Sequence, residues 1–360
     1  MAIWDKLTRN PTLTTLENTN FPVSKVPFPG VSICNLNKIS KKKAEDVAAF
    51  ISDTTGSALD VVQDYMKTLG SFYDFDDTNI HKQLQFQQIL EKFTHVDEFR
   101  PVKLMKWLSP TCEDFLLRCS WKNQEVNCSE IFQLRLTFEG YCCVFNYVKE
   151  TNEVISESFR QNEIMFGEAG LHSGLTVVLN NQLNDYFYTK QASMGANVHI
   201  FNPTDYPDKS SGGLSEQLIG ISTEFLIQLE TITYDAVRDV VYHPVDERKC
   251  YFPSEKQTYF GLYSESDCLM DCRMRSMAAL CGCVPFMIPQ NRTLVCGLSD
   301  IQCLSKYRVK WDALAPPDAF IHSKLKREAH YALHCEDRCY STCTTYTYQI
   351  ATNPVPIKDP

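Results

Sequence analysis

Cys268-Leu269-Met270-Asp271-Cys272 and Cys335-Glu336-Asp337-Arg338-Cys339-Tyr340-Ser341-Thr342-Cys343 repeat cysteine at a four-residue step. On two helices each set lines one face, because residues i and i+4 lie one above the other. Two antiparallel segments carrying such ladders can be stapled rung by rung. The consistent nesting joins Cys250 to Cys343, Cys268 to Cys339 and Cys272 to Cys335, and leaves Cys281, Cys283, Cys296 and Cys303 to close the tip. Spacing alone leaves other pairings open, since eight cysteines allow about 105.

The chain holds sixteen cysteines in 360 residues, too many thiols for a reducing compartment. No CxxC pair occurs and no cysteine pair is followed by HxxxH, so zinc-finger and zinc-ribbon spacings are excluded and an extracellular or lumenal location follows. Hydrophobic residues at 44% and charged residues at 22% are globular values, and the length allows about two domains. The net charge of −9 disfavours nucleic acid, which needs a basic face. No GxSxG, HExxH, GxxxxGK[ST] or GxGxxG occurs, and complete cysteine pairing removes a thiol nucleophile, so no enzyme and no cofactor is expected. His330 and His334 stand four apart near Cys335 and read as a partly exposed helix face before they read as metal ligands. Residues 1–10 have no apolar leader core, and no segment approaches the ~20 apolar residues that cross a bilayer. An oxidised chain of this kind is expected to be an ectodomain excised from a longer protein.

Organisation follows the hydrophobic period. The first forty residues read as extended, with Val31 and Ile33 alternating with Ser32 and Cys34. Helical stripes follow at Ala44, Val47, Ala48, Ile51 and at Ala58, Val61, Val62, Tyr65, Leu69, the second capped by Ser57 and stopped by Gly70. Phe86, Ile89, Leu90, Phe93 predict a third helix, and Cys112, Phe115, Leu116, Cys119 a fourth with both thiols on one face. From Ser129 to Lys249 the period is two, at Phe132 to Phe138, Leu175 to Leu179, Val198 to Ile200 and Phe225 to Leu229, with a turn-rich break from Asn202 to Gly213. Two glycosylation sequons occur, at Asn127 and Asn291. Asp74, Asp76, Asp77 and Asp205, Asp208 would form proton or cation sites if they converged, because clustered carboxylates raise one another's pKa. A solvated loop is the commoner meaning of such groups.

Phe28-Pro29-Gly30-Val31-Ser32-Ile33-Cys34-Asn35-Leu36-Asn37 resembles the FPAVTxCNxN segment of the degenerin/epithelial sodium channel/acid-sensing channel family. Further matches come in the family's order: Leu116-Leu117-Arg118-Cys119 with Cys128-Ser129, then Gly140 to Asn146, then Gly174 to Asn180 completed by Tyr186, then the two cysteine sets. Asn20-Phe21-Pro22-Val23 and the FPG variant look most like the insect pickpocket branch.

The resemblance implies an α+β, disulfide-rich, hand-shaped ectodomain with a central palm β-sheet, a β-ball, and a helical finger and thumb. Its divisions would be 1–43 (linker and first palm strand), 44–128 (helical finger with β-ball elements), 129–249 (palm, β-ball and knuckle strands), 250–345 (cysteine-rich thumb) and 346–360 (last palm strand, leading to a second transmembrane helix). It also implies Cys34 with Cys142, Cys119 with Cys128, Cys281 with Cys303 and Cys283 with Cys296, and supports the nested ladder. Cys112 and Cys143 have no counterpart in the acid-sensing pattern, and pairing them completes eight bonds. Two departures are visible. The run Tyr242 to Cys250 lacks the Trp that acid-sensing members carry before the first thumb cysteine, and their acidic finger-edge pair is matched only at Asp205, which leaves Asp205 and Asp208 as the candidate stimulus-sensing site. The implied function is the extracellular gating domain of a homo- or hetero-trimeric, amiloride-sensitive sodium channel subunit at the cell membrane. It would answer a chemical ligand or force and relay it to a pore outside this chain, where sodium permeates. The alternative is a secreted or truncated ligand-binding module on the same scaffold.

Overall fold

The computed structural model describes residues 14–93, 96–148, 164–170, 173–209, 213–289, 294–312, 335 and 338–357. Its centre is a five-stranded antiparallel sheet in the order β10 (Ser215–Gly220), β9 (Gly195–Phe201), β1 (Gly30–Asn35), β6 (Gly140–Phe145), β5 (Phe132–Thr137). Every residue of β1, β6 and β9 is buried, so these strands are covered on both faces. Alternation still sorts them. Val31, Ile33, Phe145, Val198 and Ile200 join one apolar cluster, whereas Cys34, Cys142, Val144 and Phe201 join another.

The helical region folds beside this sheet. Ser40 caps α1 (Lys41–Thr55) by accepting from the Lys43 amide at 3.3 Å, and the stripe Ala44, Val47, Ala48, Ile51 is buried. The expected cap at Ser57 is not made: α2 (Leu59–Met66) begins after Ala58 without a side-chain cap, and the Ser57 carbonyl accepts from Ser52 Oγ instead. Gly70 does not stop the helix either. The chain runs through a 3-10 turn, Lys67–Gly70, into a further turn, Ser71–Asp74. Gly70 is required for a different reason, because a Cβ there would lie 2.1 Å from the Tyr188 ring. α3 (Ile80–Glu91) buries Phe86 and Leu90, and α4 (Pro101–Leu108) buries Leu104, Met105 and Leu108 behind a proline at its start.

The expected helix over Cys112 to Cys119 is a single turn, Cys112–Phe115, followed by β3 (Leu116–Trp121). β3 lies between β4 (Gln124–Val126) and β7 (Leu175–Leu179), so pairing with a distant strand overrides the local helical spacing.

In the cysteine-rich region α5 (Glu265–Cys281) is capped by Ser264 and ends at the left-handed Gly282. α6 (Ile301–Asp312) packs against it through Trp311, whose Nε1 donates to Ser276 Oγ at 3.2 Å. The second cysteine set is not the helix that its spacing suggests. Cys339 N donates to Cys335 O at 2.8 Å, closing one turn, and the chain then extends through β15 (Ser341–Thr342) into β16 (Thr344–Pro356). Cys250–Cys343, Cys268–Cys339 and Cys272–Cys335 are bonded, with Cys281–Cys303 and Cys283–Cys296 at the far end of α5. Cys34–Cys142, Cys112–Cys143 and Cys119–Cys128 tie the remainder. β16 pairs with β11 (Thr223–Asp235) in a two-stranded antiparallel ribbon from Asp235↔Thr344 to Thr223↔Pro356. Among the described residues no helix is long and apolar enough to cross a membrane.

Candidate functional site

Among the described residues, two buried places gather charged groups from distant parts of the chain. The first is the polar edge of the central sheet. Glu139 sits in the tight β5–β6 turn, where its amide donates to Thr137 Oγ1 at 3.2 Å and Gly140 takes φ +93°. Lys38, buried on β2 (Asn37–Ser40), meets Glu139 Oε2 at 2.9 Å. On β9 the apolar residues Val198 and Ile200 face one cluster, so Asn197 and His199 face the other way. Asn197 Nδ2 donates to Glu139 Oε1 at 2.8 Å and to Glu216 Oε1 at 2.7 Å, and Lys209 pairs with Glu216 Oε2. Burial works against the Glu139 charge, yet Lys38 and His199 hold its carboxyl well below the usual range. The His199 imidazole, with Lys209, brings Glu216 down to about 2. For His199 burial again opposes the charge, and the two glutamates raise its pKa above the ordinary value.

The second place joins the sheet to the cysteine-rich region. After β9 the chain turns so that Tyr206 and Asp208 are buried against α5. Asp208 Oδ2 pairs with Arg273 Nη1 at 2.9 Å, and Arg273 Nε donates to Trp311 O at 3.1 Å. Tyr206 N donates to Asp267 Oδ1 at 3.0 Å, Ser266 Oγ to Tyr206 O at 3.1 Å, and Tyr206 OH to Met287 O at 2.6 Å. A buried ion pair and four hydrogen bonds hold this joint together.

Asp208 turns inward to Arg273, while Asp205 is half-buried beside Thr204. Asp74 and Asp76 accept backbone amides from Asp76 and Thr78 and so close local turns, and Tyr188 OH also donates to Asp74. Asn127 is exposed and caps the turn Cys128–Ile131 through Ser129 N at 3.2 Å. Asn291, His330 and His334 lie outside the described residues.

Sequence reasoning did not single out Lys38, Glu139, Asn197, His199 or Glu216. The one local signal was two polar residues alternating with Ala196, Val198 and Ile200 in a strand that is otherwise apolar.

The amiloride-sensitive sodium channel family matches this chain over residues 1–359. Sodium channel protein Nach of Drosophila ananassae is 28% identical over 307 residues, covering 82% of this chain and 55% of that protein. Pickpocket protein 28 of Drosophila melanogaster is 28% identical over 359 residues, covering 91% and 52%. The bile acid-sensitive ion channel of Mus musculus is 25% identical over 284 residues, covering 78% and 50%. The chain thus spans about half the length of these relatives. With the palm-type sheet, the finger-side helices and the eight disulfides alongside a match from end to end, this chain belongs to the amiloride-sensitive sodium channel family, a family of membrane ion channels.

Proposed function

We propose that this chain is the extracellular gating domain of a pickpocket-like sodium channel subunit, assembling as a homo- or hetero-trimer and relaying a chemical or mechanical stimulus to a pore outside this sequence. The observation that carries the reading is the β11–β16 ribbon. Its Thr344 end follows directly on Cys343, the last rung of the ladder, and its Pro356 end lies thirteen paired residues away. At about 3.4 Å per residue such a ribbon carries a displacement roughly 40 Å. One third of the way along, Tyr348 OH donates to Pro27 O at 2.9 Å, so the last strand is clamped to the segment that leads into the first. A stimulus that shifts the cysteine-rich region therefore reaches both ends of the chain through the Asp208–Arg273 joint and this ribbon, which is how a two-state gate is biased. Asp208 enters this reading as part of the joint and Asp205 as the candidate sensing residue three positions before it in the chain. Carbohydrate at Asn127 and Asn291 would follow from the extracellular placement, and glycosidase-sensitive mass lost in Asn127→Gln and Asn291→Gln checks it.

The deciding experiment records current from the full reading frame, alone and with partner subunits, while external sodium is replaced by a large organic cation. A leftward shift of the reversal potential and block by amiloride are expected. Current that follows chloride, or that ignores the sodium replacement, overturns the reading.

A further inference from the structure

We propose that Glu139, His199 and Glu216 form a binding site for a first-row divalent transition ion, with zinc the ion that its donors and spacing fit. The site rests on the central sheet alone and stands independently of the channel reading.

The imidazole is the centre of the case. His199 is fully buried, and its Nδ1 lies 3.0 Å from Ser32 Oγ, where it can donate. In the neutral tautomer with its proton on Nδ1, that hydrogen bond leaves the Nε2 lone pair facing the two carboxylates, the usual arrangement of a metal-ligating histidine held from behind, and the ion takes the place of the proton that the glutamates favour there. Nε2 has no hydrogen-bond partner. It stands 3.6 Å from Glu139 Oε1 and 3.9 Å from Glu216 Oε1. Those distances are too long for hydrogen bonds. They exceed the ligand-to-ligand edge of a zinc tetrahedron, about 3.3 Å for bonds of ~2.0 to 2.1 Å, by about 0.3 and 0.6 Å, a gap that a small side-chain shift closes. All three ligand atoms lie within 4.8 Å of one another.

The surroundings orient the carboxylates toward that centre. Lys38 and Lys209 hold the far oxygens, Oε2 of Glu139 and Oε2 of Glu216, which leaves both Oε1 atoms facing His199. Asn197 Nδ2 now bridges the two Oε1 atoms, and half a turn of its carboxamide presents Oδ1 as a fourth donor, the third oxygen of the set. The glutamate side chains are 12% and 23% exposed, so the site lies just beneath the solvent boundary. The two carboxylates pair with Lys38 and Lys209, Lys190 adds a further positive charge near Glu139, and Lys209, 61% exposed, can swing into water as the dication enters. Donor chemistry narrows the ion. The cysteines are closed as disulfides, so no thiolate competes. Calcium takes six to eight oxygens at longer range, whereas an imidazole with two carboxylates suits zinc.

The test uses the oxidised 360-residue chain after chelator treatment, titrated calorimetrically with zinc, with magnesium as control. One zinc per chain at micromolar affinity is expected, together with an unfolding temperature that rises with zinc and not with magnesium. His199→Gln and Glu216→Gln should each weaken binding at least tenfold, and the exposed His243→Gln should not change it. Glu216→Gln and X-ray absorption of the zinc-loaded parent keep the test decisive if His199→Gln does not fold: imidazole and oxygen neighbours without sulfur are expected. Absence of stoichiometric zinc, a sulfur-ligated zinc, or unchanged affinity in a folded Glu216→Gln variant overturns the proposal and leaves Nε2 to a proton.

Discussion

The central sheet and the cysteine-rich region solve the same problem by different means. In the sheet, β1, β6 and β9 run six, six and seven residues and bury every one of them. In the region from Cys250 to Cys343, strands such as β15 are two residues long, yet five of the eight disulfides lie there. A long ladder buried on both faces is held mainly through hydrogen bonds and apolar contact, with Cys34–Cys142 the one disulfide between two of its strands. Short pairings close few bonds against the entropy of ordering the chain, and covalent links that restrict the unfolded state make up the difference. Packing adapts as well: Met270, Met274 and Met277 fill the buried side of α5, where flexible side chains fit an irregular partner.

Breaking the joint between the two regions should have the largest effect. Asp208→Ala leaves Arg273 buried without its carboxylate and is expected to cost about 3 to 5 kcal/mol in urea unfolding of the oxidised chain. A cost under about 1 kcal/mol would mean that the regions are held together elsewhere. Gly195→Ala attacks the sheet alone. Gly195 takes φ +139°, and a Cβ there would lie 2.0 Å from Ile219 O on the paired strand β10. Backbone strain and overpacking together predict a loss of about 2 to 4 kcal/mol, with faster amide exchange in β9 and β10 as the local signature.

Disulfide removal sharpens the contrast. Cys272–Cys335 closes a separation of 63 residues and Cys119–Cys128 one of 9. Loop entropy makes removal of the first pair costlier by roughly 2 kcal/mol, an upper value because neighbouring cross-links shorten the effective loop. Equal costs from paired Cys→Ala variants would show that the ladder acts through native packing instead. Acid gives the smallest effect. Burial works against the charge on Glu255, yet its hydrogen bonds from Arg248 and the Phe252 amide hold its carboxyl below the ordinary 4.5. Its contribution is therefore present above pH 4.5 and lost as pH falls through the lower folded value. Melting temperatures of the parent and Glu255→Gln should converge below that window and separate above it.

The amino-acid order by itself determined what short-range spacing can encode. Ala44, Val47, Ala48 and Ile51 mark the buried face of α1 because 3.6 residues per turn bring them together, and Val198 with Ile200 mark one face of β9 because strands alternate. The Phe28 to Asn37 and Gly140 to Asn146 segments carried the family, because a specific local sequence needs no partner to be read. Tertiary structure alone decided the rest. Leu116 to Cys119 has helical spacing, yet its backbone pairs with β7, more than fifty residues along the chain, and becomes a strand. Cys339 N reaches back to Cys335 O, but Ser341 and Thr342 then extend, because they pair beside Cys250 and Tyr251. His199 meets Ser32 across 167 residues and Lys38 meets Glu139 across 101. Separations of that length leave no local period, and a buried charge is stable only where the fold brings its partner, so this cluster existed only once the sheet was assembled.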